Sequence, residues 1–328
     1  MAYCLCWVKY QGRPMISDFE KRHKILGENF FSEYIDVKSV TLHPGKKKRY
    51  LGGVINKVCR FCNLGEGETT FKKEAHAIPL LIGNKTLIDN LECDSCNKHF
   101  GDNVEDSFGK YFHPHRVMNR IRGRKPLKYS EDKKLKVTVN ENRDLNVEVS
   151  PVADGDEPVY VRVKDDLLKF TLERQPYYPT AIYKTFVKMA LAMMPESERF
   201  NVEFLKGWLL SKEQSQLMVE QKVIVWKIPG PSDPDTIRCM LCKTKLEYES
   251  LNIKYVLVFA FSGLQFQIPI PVINKNPRAA MPLAPSLRPI DEYKEFGEPA
   301  VDVVDFSSNK LVKNEKVEIF FRAEESQV

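Results

Sequence analysis

The sequence lacks any apolar run of the roughly 20 residues that a membrane-spanning helix requires, which argues against an integral membrane protein. Its first residues also lack a long apolar core and a small-residue cleavage site, so we expect no secretory signal. Apolar residues occupy 43% of the 328 positions and charged residues 29%, as in ordinary globular proteins. We therefore expect a cytoplasmic protein without membrane association, long enough for two domains of roughly 150 residues.

The sequence lacks isolated cysteines, since all eight stand in close pairs. In a chain without an export signal, close pairs fit metal ligands in a reducing compartment better than disulfides.

Charge is distributed unevenly along the chain. Residues 1–128 contain 23 Lys and Arg against 14 Asp and Glu, whereas the remainder contains 27 against 30. A basic excess in the half that carries most cysteines favours a polyanionic partner such as nucleic acid.

Two Cys-x-x-Cys pairs, Cys59 with Cys62 and Cys93 with Cys96, bracket the most informative segment. A two-residue gap lets both sulfurs of a tight turn face one ion, so the two pairs predict a structural zinc with four thiolate ligands. Disulfides or a redox pair are the alternatives. Because four protein ligands leave no open coordination position, this zinc would stabilise the fold and take no part in chemistry.

Between and beside these pairs lie side chains that can handle water and a hard cation. A neutral His76 can take a proton from water, and the amide of Asn97 together with a carboxylate can hold Mg²⁺ or Mn²⁺. Asn90 is the third polar candidate. A lone histidine before an apolar residue is usually structural, but the cysteine frame and the two asparagines favour a functional histidine here.

This stretch resembles the four-cysteine form of the HNH endonuclease family, over roughly residues 55–125. The resemblance implies a ββα-metal fold in which His76 is the general base. It further implies that Asn90 fixes the loop and orients the histidine, and that Asn97 binds the catalytic Mg²⁺ or Mn²⁺. Zinc would be the structural ion, and phosphodiester bonds of nucleic acid would be the substrate.

One departure from the family pattern concerns the carboxylate ligand of the catalytic metal. Many members place Asp or Glu directly before the first histidine, where this chain has Ala75. Glu74, which strand alternation would put on the same face as His76, is one replacement. Glu105, about two helical turns beyond the third motif residue, is the other. Each can equally be a solvated or structural carboxylate, and His99 is a further ligand candidate or a plain surface residue.

Basic residues beside the motif are candidates for phosphate contacts. A helix over residues 116–124 would place Arg116, Arg120 and Arg124 on one face, although such a run can also be a solvated face. The predicted nucleic-acid-binding set is Arg116, Arg120, Arg122, Arg124, Lys125, Lys72 and Lys73.

The chain beyond residue 135 has the pattern of a second α+β domain with antiparallel hairpins and a core helix. Alternating apolar residues predict hairpins over 135–149 and 159–172, and a helix from Pro179 to Met194. Further strands are expected at 222–227, 255–261, 264–270 and 317–322. The whole chain is thus predicted to be α+β, with a nuclease domain at 1–128 and an accessory domain of unknown role at 135–328.

A second cysteine group allows two interpretations. Cys239 and Cys242 form a lone Cys-x-x-Cys pair, which Cys4 and Cys6 would complete as a second zinc site if the N-terminus packed nearby. Buried free thiols are the simpler alternative.

The leading functional interpretation is a metal-dependent HNH endonuclease, with DNA favoured over RNA. The resemblance also suggests a role in restriction or anti-phage defence. One alternative is a non-catalytic zinc module that binds nucleic acid, since the usual acid is replaced by Ala75. Another is a nuclease effector gated by a ligand or partner at the C-terminal domain. That domain is also the candidate surface for a homo-oligomer or a regulatory partner.

Overall fold

The computed structural model describes residues 30–124, 126–131, 134–151, 158–164, 166–217, 219–231, 233–246, 253–272, 285–289 and 294–322. Its α-helices are α1 (Phe30–Glu33), α2 (Asp94–Asn103), α3 (Glu105–Tyr111), α4 (His113–Met118), α5 (Pro179–Met193) and α6 (Phe204–Leu210). Its strands are β1 (Tyr34–Leu42), β2 (Arg49–Leu51), β3 (Leu87–Asp89), β4 (Lys128–Glu131), β5 (Leu135–Val139), β6 (Leu145–Val149), β7 (Tyr160–Lys164), β8 (Leu167–Glu173), β9 (Lys222–Lys227), β10 (Ile237–Thr244), β11 (Tyr255–Phe261), β12 (Leu264–Ile270), β13 (Ala300–Asp305) and β14 (Lys316–Arg322). The predicted α+β class is confirmed.

The largest sheet runs β1-β10-β11-β12-β9-β13, with each neighbouring pair antiparallel. Strands β11 and β12 lie near its centre and are almost entirely buried, as their near-continuous apolar sequences require. Ser262 and Gly263 join them with φ of 47° and 76°. Two positive φ angles define the type I′ turn whose twist suits a hairpin, so the strands predicted at 255–261 and 264–270 are confirmed and form one hairpin.

Helix α5 is the core helix. All of its residues are buried, because it packs against β12 on one side and α3 on the other. Phe186 on α5 contacts Phe266 of β12 and Phe108 of α3, with ring centroids 5.4 and 5.3 Å apart. A helix that is apolar on nearly every side is stable only when surrounded in this way.

Three smaller sheets complete the described part of the chain: β2-β3, β4-β5-β6 and β14-β8-β7. The predicted hairpins over 135–149 and 159–172 are confirmed as β5-β6 and β7-β8. Val137, Leu172 and Ile319 bring these strands into one apolar cluster with α4. Among the helices that the structure describes, none combines the length and apolar character needed to span a bilayer.

The largest hydrophobic core crosses the predicted domain boundary. It unites Phe61 and Phe100 of the N-terminal region with Phe186 and Phe266 of the C-terminal region. In addition, β1 pairs with β10 and so belongs to the sheet of the C-terminal half. The division into 1–128 and 135–328 stays a prediction, but these segments share one core.

Candidate active site

The four cysteines of the two pairs converge. Each sulfur lies within 4.8 Å of the others, with 3.8 Å between Cys59 and Cys96 and 3.7 Å between Cys62 and Cys93. A tetrahedral zinc with Zn–S bonds of about 2.3 Å holds its sulfurs about 3.8 Å apart, whereas a disulfide needs about 2 Å. The quartet therefore fits zinc, and disulfide pairing is excluded for these cysteines, all of which are free.

Backbone amides support the sulfur cluster. Cys93 is the N-cap of α2, and its sulfur accepts the Cys96 N–H at 3.5 Å, while the Cys93 N–H points to the Cys59 sulfur at 3.5 Å. Such donors fix the orientation of metal-ligating sulfurs. A zinc ion here would join the turn at residues 59–62 to the start of α2.

His76 lies on a short segment that pairs antiparallel with β3. Its bridge partner is Ile88, and backbone hydrogen bonds of 2.8 and 3.2 Å flank the pair. Helix α2 then follows β3 across the second cysteine pair. The order of histidine segment, second strand and helix is the order that the resemblance implies.

The surroundings of the His76 ring favour its neutral form. Burial is the main reason that the pKa of His76 falls below its ordinary value, and the nearby charges of Lys188 and Arg124 lower it further, against Glu74 and Glu105, which raise it. Nδ1 is inaccessible and has no hydrogen-bond partner among the described residues. A ring that is neutral near pH 7 has the protonation state that a general base needs.

Asn84, which was not predicted from the sequence, stabilises the loop between His76 and β3. Its fully buried amide donates to the carbonyls of Ile78 and Leu87 at 2.8 and 3.0 Å, and its oxygen accepts from the amides of Thr86 and Leu87 at 3.1 and 2.8 Å. This is the loop-fixing role that the resemblance implies for Asn90. The Gly-Asn pair at residues 83–84 is the turn pattern that could have indicated it.

Asn90 and Asn97 are both half-buried. The Asn90 amide reaches the Gly52 carbonyl at a long 3.4 Å, and the residue borders a cavity of about 100 Å³ that Glu74 also lines. Asn97 lies on α2, one turn after Cys93, whose carbonyl accepts its N–H at 2.9 Å. The roles predicted for both asparagines stay predictions.

Glu74 and Glu105, the two candidate carboxylate ligands, differ in how exposed their ion pairs with lysine are. Glu74 is exposed, and its hydrogen bond from Lys48 lowers the pKa of its carboxyl. Glu105, at the start of α3, lies 3.0 Å from the buried ammonium of Lys188. Since an exposed ion pair is easily exchanged and a buried one is not, Glu74 is the more available metal ligand.

The candidate ligands of a catalytic metal do not form a closed set as the four cysteines do. Within the described residues, the cysteine quartet is the one group of three or more His, Cys, Asp or Glu side chains that converge for a metal. Mg²⁺ commonly keeps several waters and needs only one or two protein carboxylates. One amide and one carboxylate would therefore be enough protein ligands for such an ion.

The predicted helix over residues 116–124 is wrong. Helix α4 ends at Met118, and Arg120 takes the left-handed conformation with φ of 58°. The Arg120 N–H bonds to the Val117 carbonyl and the Ile121 N–H to the Arg116 carbonyl, which is the Schellman pattern that terminates helices. Arg116, Arg120 and Arg124 therefore do not share a helix face.

The basic candidates have different surroundings. Arg116 is largely buried, which lowers its pKa to about 10, and Arg122 donates to the Asn140 carbonyl. Arg124, by contrast, is exposed and close enough to His76 to affect its pKa. Lys72 and Lys73 are also exposed, and their backbone amides donate to the Asp94 carboxylate. Lys125 lies outside the described residues.

Cys239 and Cys242, the members of the second cysteine group that the structure describes, do not converge on one point. Cys239 and Cys242 are three residues apart on β10, so their side chains point to opposite faces of the sheet. Cys239 packs into the main core and Cys242 into a separate cluster with Phe30 and Tyr34. Both are buried thiols, and Cys4 and Cys6 lie outside the described residues.

Comparison with known proteins identifies the class of this segment. Residues 59–113 match the family model described as HNH endonuclease. The match includes the cysteine quartet, the His76 segment and α2, and it ends where α4 begins. Neither the curated proteins nor the solved structures give a significant match to the chain. The resemblance inferred from the motif residues is confirmed for this segment.

Proposed function

We propose that the protein is a metal-dependent HNH endonuclease that hydrolyses phosphodiester bonds of nucleic acid, with DNA as the favoured substrate. The observation that carries this proposal is the state of His76. It lies within the matched segment, between the two cysteine pairs in the sequence, in surroundings that lower its pKa. A neutral imidazole beside a phosphate pocket is suited to activating water.

In the proposed mechanism, His76 takes the proton of the attacking water through Nε2, since Nδ1 is inaccessible. Asn97 and Glu74 would hold Mg²⁺ or Mn²⁺, which supplies positive charge at the scissile phosphate and leaving oxygen. Glu105 is less suited to this task because it binds Lys188. Asn84 keeps the loop after His76 in place, and the zinc quartet keeps α2 against the hairpin.

Flanking phosphates would be held by exposed basic side chains. Arg124 is near His76, while Lys72 and Lys73 border the cavity that contains Glu74 and Asn90. Exposed positive charges of this kind are suited to binding the phosphates on either side of a scissile bond.

Cleavage assays with a panel of nucleic acids test this function. Supercoiled DNA, linear duplex, single strands and RNA would be incubated with Mg²⁺ or Mn²⁺, using the parent protein, His76→Ala and the exposed-histidine control His43→Ala. We expect the parent and the control to cleave and His76→Ala to be slower by about 100-fold or more. Equal cleavage by His76→Ala would refute the assignment of the base.

A non-catalytic nucleic-acid-binding module is the second candidate. The observation in its favour is that Ala75 is buried, at 1% exposure, where family members often place an acidic metal ligand. Binding without cleavage of any substrate in the panel would support this alternative.

A role in restriction or anti-phage defence follows from the family resemblance alone, and plaque assays with the parent and His76→Ala would test it.

A further inference from the structure

A lysine of the C-terminal half extends into the nuclease segment. Lys188 lies on α5, and its Nζ donates to the backbone carbonyl of His76 at 2.8 Å and to Glu105 at 3.0 Å. It also lies 3.2 Å from a carboxylate oxygen of Glu92. The side chain of Lys188 is 2% exposed and that of Glu92 is inaccessible, so water competes little for these contacts.

This arrangement satisfies a buried ammonium. An ammonium has three N–H donors, and three oxygens from separate segments surround this one. Burial alone would lower the pKa of Lys188, but the carboxylates of Glu105 and Glu92 raise it above its ordinary value, so the side chain is charged. The two lysines, Lys184 and Lys188, in a mainly apolar helix were the sequence feature that could have indicated such buried contacts.

The hydrogen bond to the His76 carbonyl comes from outside the hairpin that the His76 segment forms with β3. The ladder hydrogen bonds that flank His76 use the carbonyls of Ala75 and Leu87, which leaves the His76 carbonyl directed to Lys188. Helix α5 is itself held on several sides by the core. The backbone at the proposed base is therefore held in place by a helix that lies wholly beyond the family match, which ends at residue 113.

We propose that Lys188 is a positioning residue for His76, through which the C-terminal half sets the geometry of the catalytic centre. This inference rests on the proposed nuclease function. It gives residues beyond the matched segment a part in catalysis, since a misplacement of about 1 Å at a reacting group can cost about 100-fold in rate. Lys188 itself is too deeply buried to contact substrate.

The test variant is Lys188→Met combined with Glu92→Gln, because Lys188→Met alone would leave the Glu92 carboxylate buried without its cation. Lys184→Met is the matched control. Lys184 is a buried lysine one turn earlier on α5, and its Nζ donates to the carbonyls of Ser211 and Glu213 at 3.1 and 3.0 Å, away from His76. Zinc content and thermal unfolding would be measured for each protein.

We expect the double variant to retain its zinc and a KM within about twofold of the parent, while kcat falls by about 100-fold. The control should stay within about twofold of the parent in both constants. A double variant with parental kcat would overturn the proposal, and so would a loss of kcat in the control that matches the loss in the double variant.

A second readout separates this inference from the proposed function. The chain has six histidines, so NMR spectra of protein labelled at the histidine ring can be assigned for His76 by its absence in His76→Ala. We expect the His76 resonance to move in the double variant and to stay in Lys184→Met. If the parent cleaves nothing, the nuclease proposal fails, and an unmoved His76 resonance would independently refute the positioning role.

Discussion

At the scale of single residues, the side chains that support the candidate site are as informative as those that would act in it. Arg60, between the first two cysteines, forms a buried ion pair with Asp89 of β3 at 2.6 Å, and it also donates to the Leu191 carbonyl of α5 at 3.0 Å. The motif predicted the zinc ligands but not these partners. A contact between residues far apart in sequence leaves no trace in local spacing.

Asn84 gives the first prediction. Asn84→Ala removes four hydrogen bonds and leaves buried backbone groups unsatisfied, each at a cost of about 1–3 kcal/mol. We expect a loss of about 2–4 kcal/mol in the free energy of unfolding, measured by denaturant titration, together with slower cleavage. Asn90→Ala, which loses one contact of 3.4 Å, is the control and should lose less than about 1 kcal/mol. The reverse order would show that Asn90 is the residue that fixes the loop.

At the scale of elements, the cysteine quartet explains how α2 and the short hairpin of the His76 segment with β3 can keep a fixed arrangement. Strand β3 has three residues and the His76 segment pairs with it antiparallel through a single bridge, and so short a hairpin is marginal in water on its own. A zinc ion that binds the folded arrangement contributes its binding free energy to folding. A bound metal and the shared core would together compensate for the small size of this segment.

Metal content provides the second prediction. We expect one tightly bound zinc per chain by elemental analysis, and Cys93→Ala should lose it because three thiolates remain. Cys239→Ala, which removes a buried thiol outside the quartet, should retain the zinc. Zinc loss in both variants would point to general unfolding, and a zinc-free parent that stays folded would contradict the structural role of the metal.

The basic residues provide the third prediction. Arg124→Ala should reduce the slope of log binding constant against log salt by about 0.9 if Arg124 contacts one phosphate of duplex DNA. Arg116→Met should leave the slope unchanged, since that guanidinium is largely buried. Fluorescence anisotropy across a salt series measures both. An unchanged slope for Arg124→Ala would place the nucleic-acid path elsewhere.

Local patterns predicted some elements well and others not at all. The β11-β12 hairpin was predictable because apolar runs flank a Ser-Gly turn, and α5 because apolar residues recur at helical spacing between two prolines. The pairing of β1 with β10 joins segments about two hundred residues apart, which no local pattern indicates. Cys239 and Cys242 had metal-site spacing, but strand geometry separates their sulfurs.

At the scale of the whole molecule, the nuclease segment and the C-terminal half share one hydrophobic core. This core includes Cys59, Cys93 and Cys96 of the quartet and residues from the strands of the largest sheet. Helix α5 lies between them and carries Lys188 to His76. Such continuity suggests that the accessory half supports the site directly.

Limited proteolysis and thermal unfolding test this continuity. We expect a single cooperative unfolding transition and no protease-resistant fragment that ends near residue 130, because cleavage there would expose the apolar face shared with α5. The control is proteolysis in denaturant, which should cut both halves. A stable, zinc-containing N-terminal fragment would instead support two independent domains.

Chemical rescue of His76→Ala by imidazole is the most direct test of the claim that His76 is the general base. Removal of the ring leaves a space beside the site that free imidazole can enter and act in as the missing base. The account predicts that added imidazole raises the cleavage rate of His76→Ala with its concentration, while the parent rate stays unchanged. Cleavage by His76→Ala at the parental rate without imidazole would contradict it.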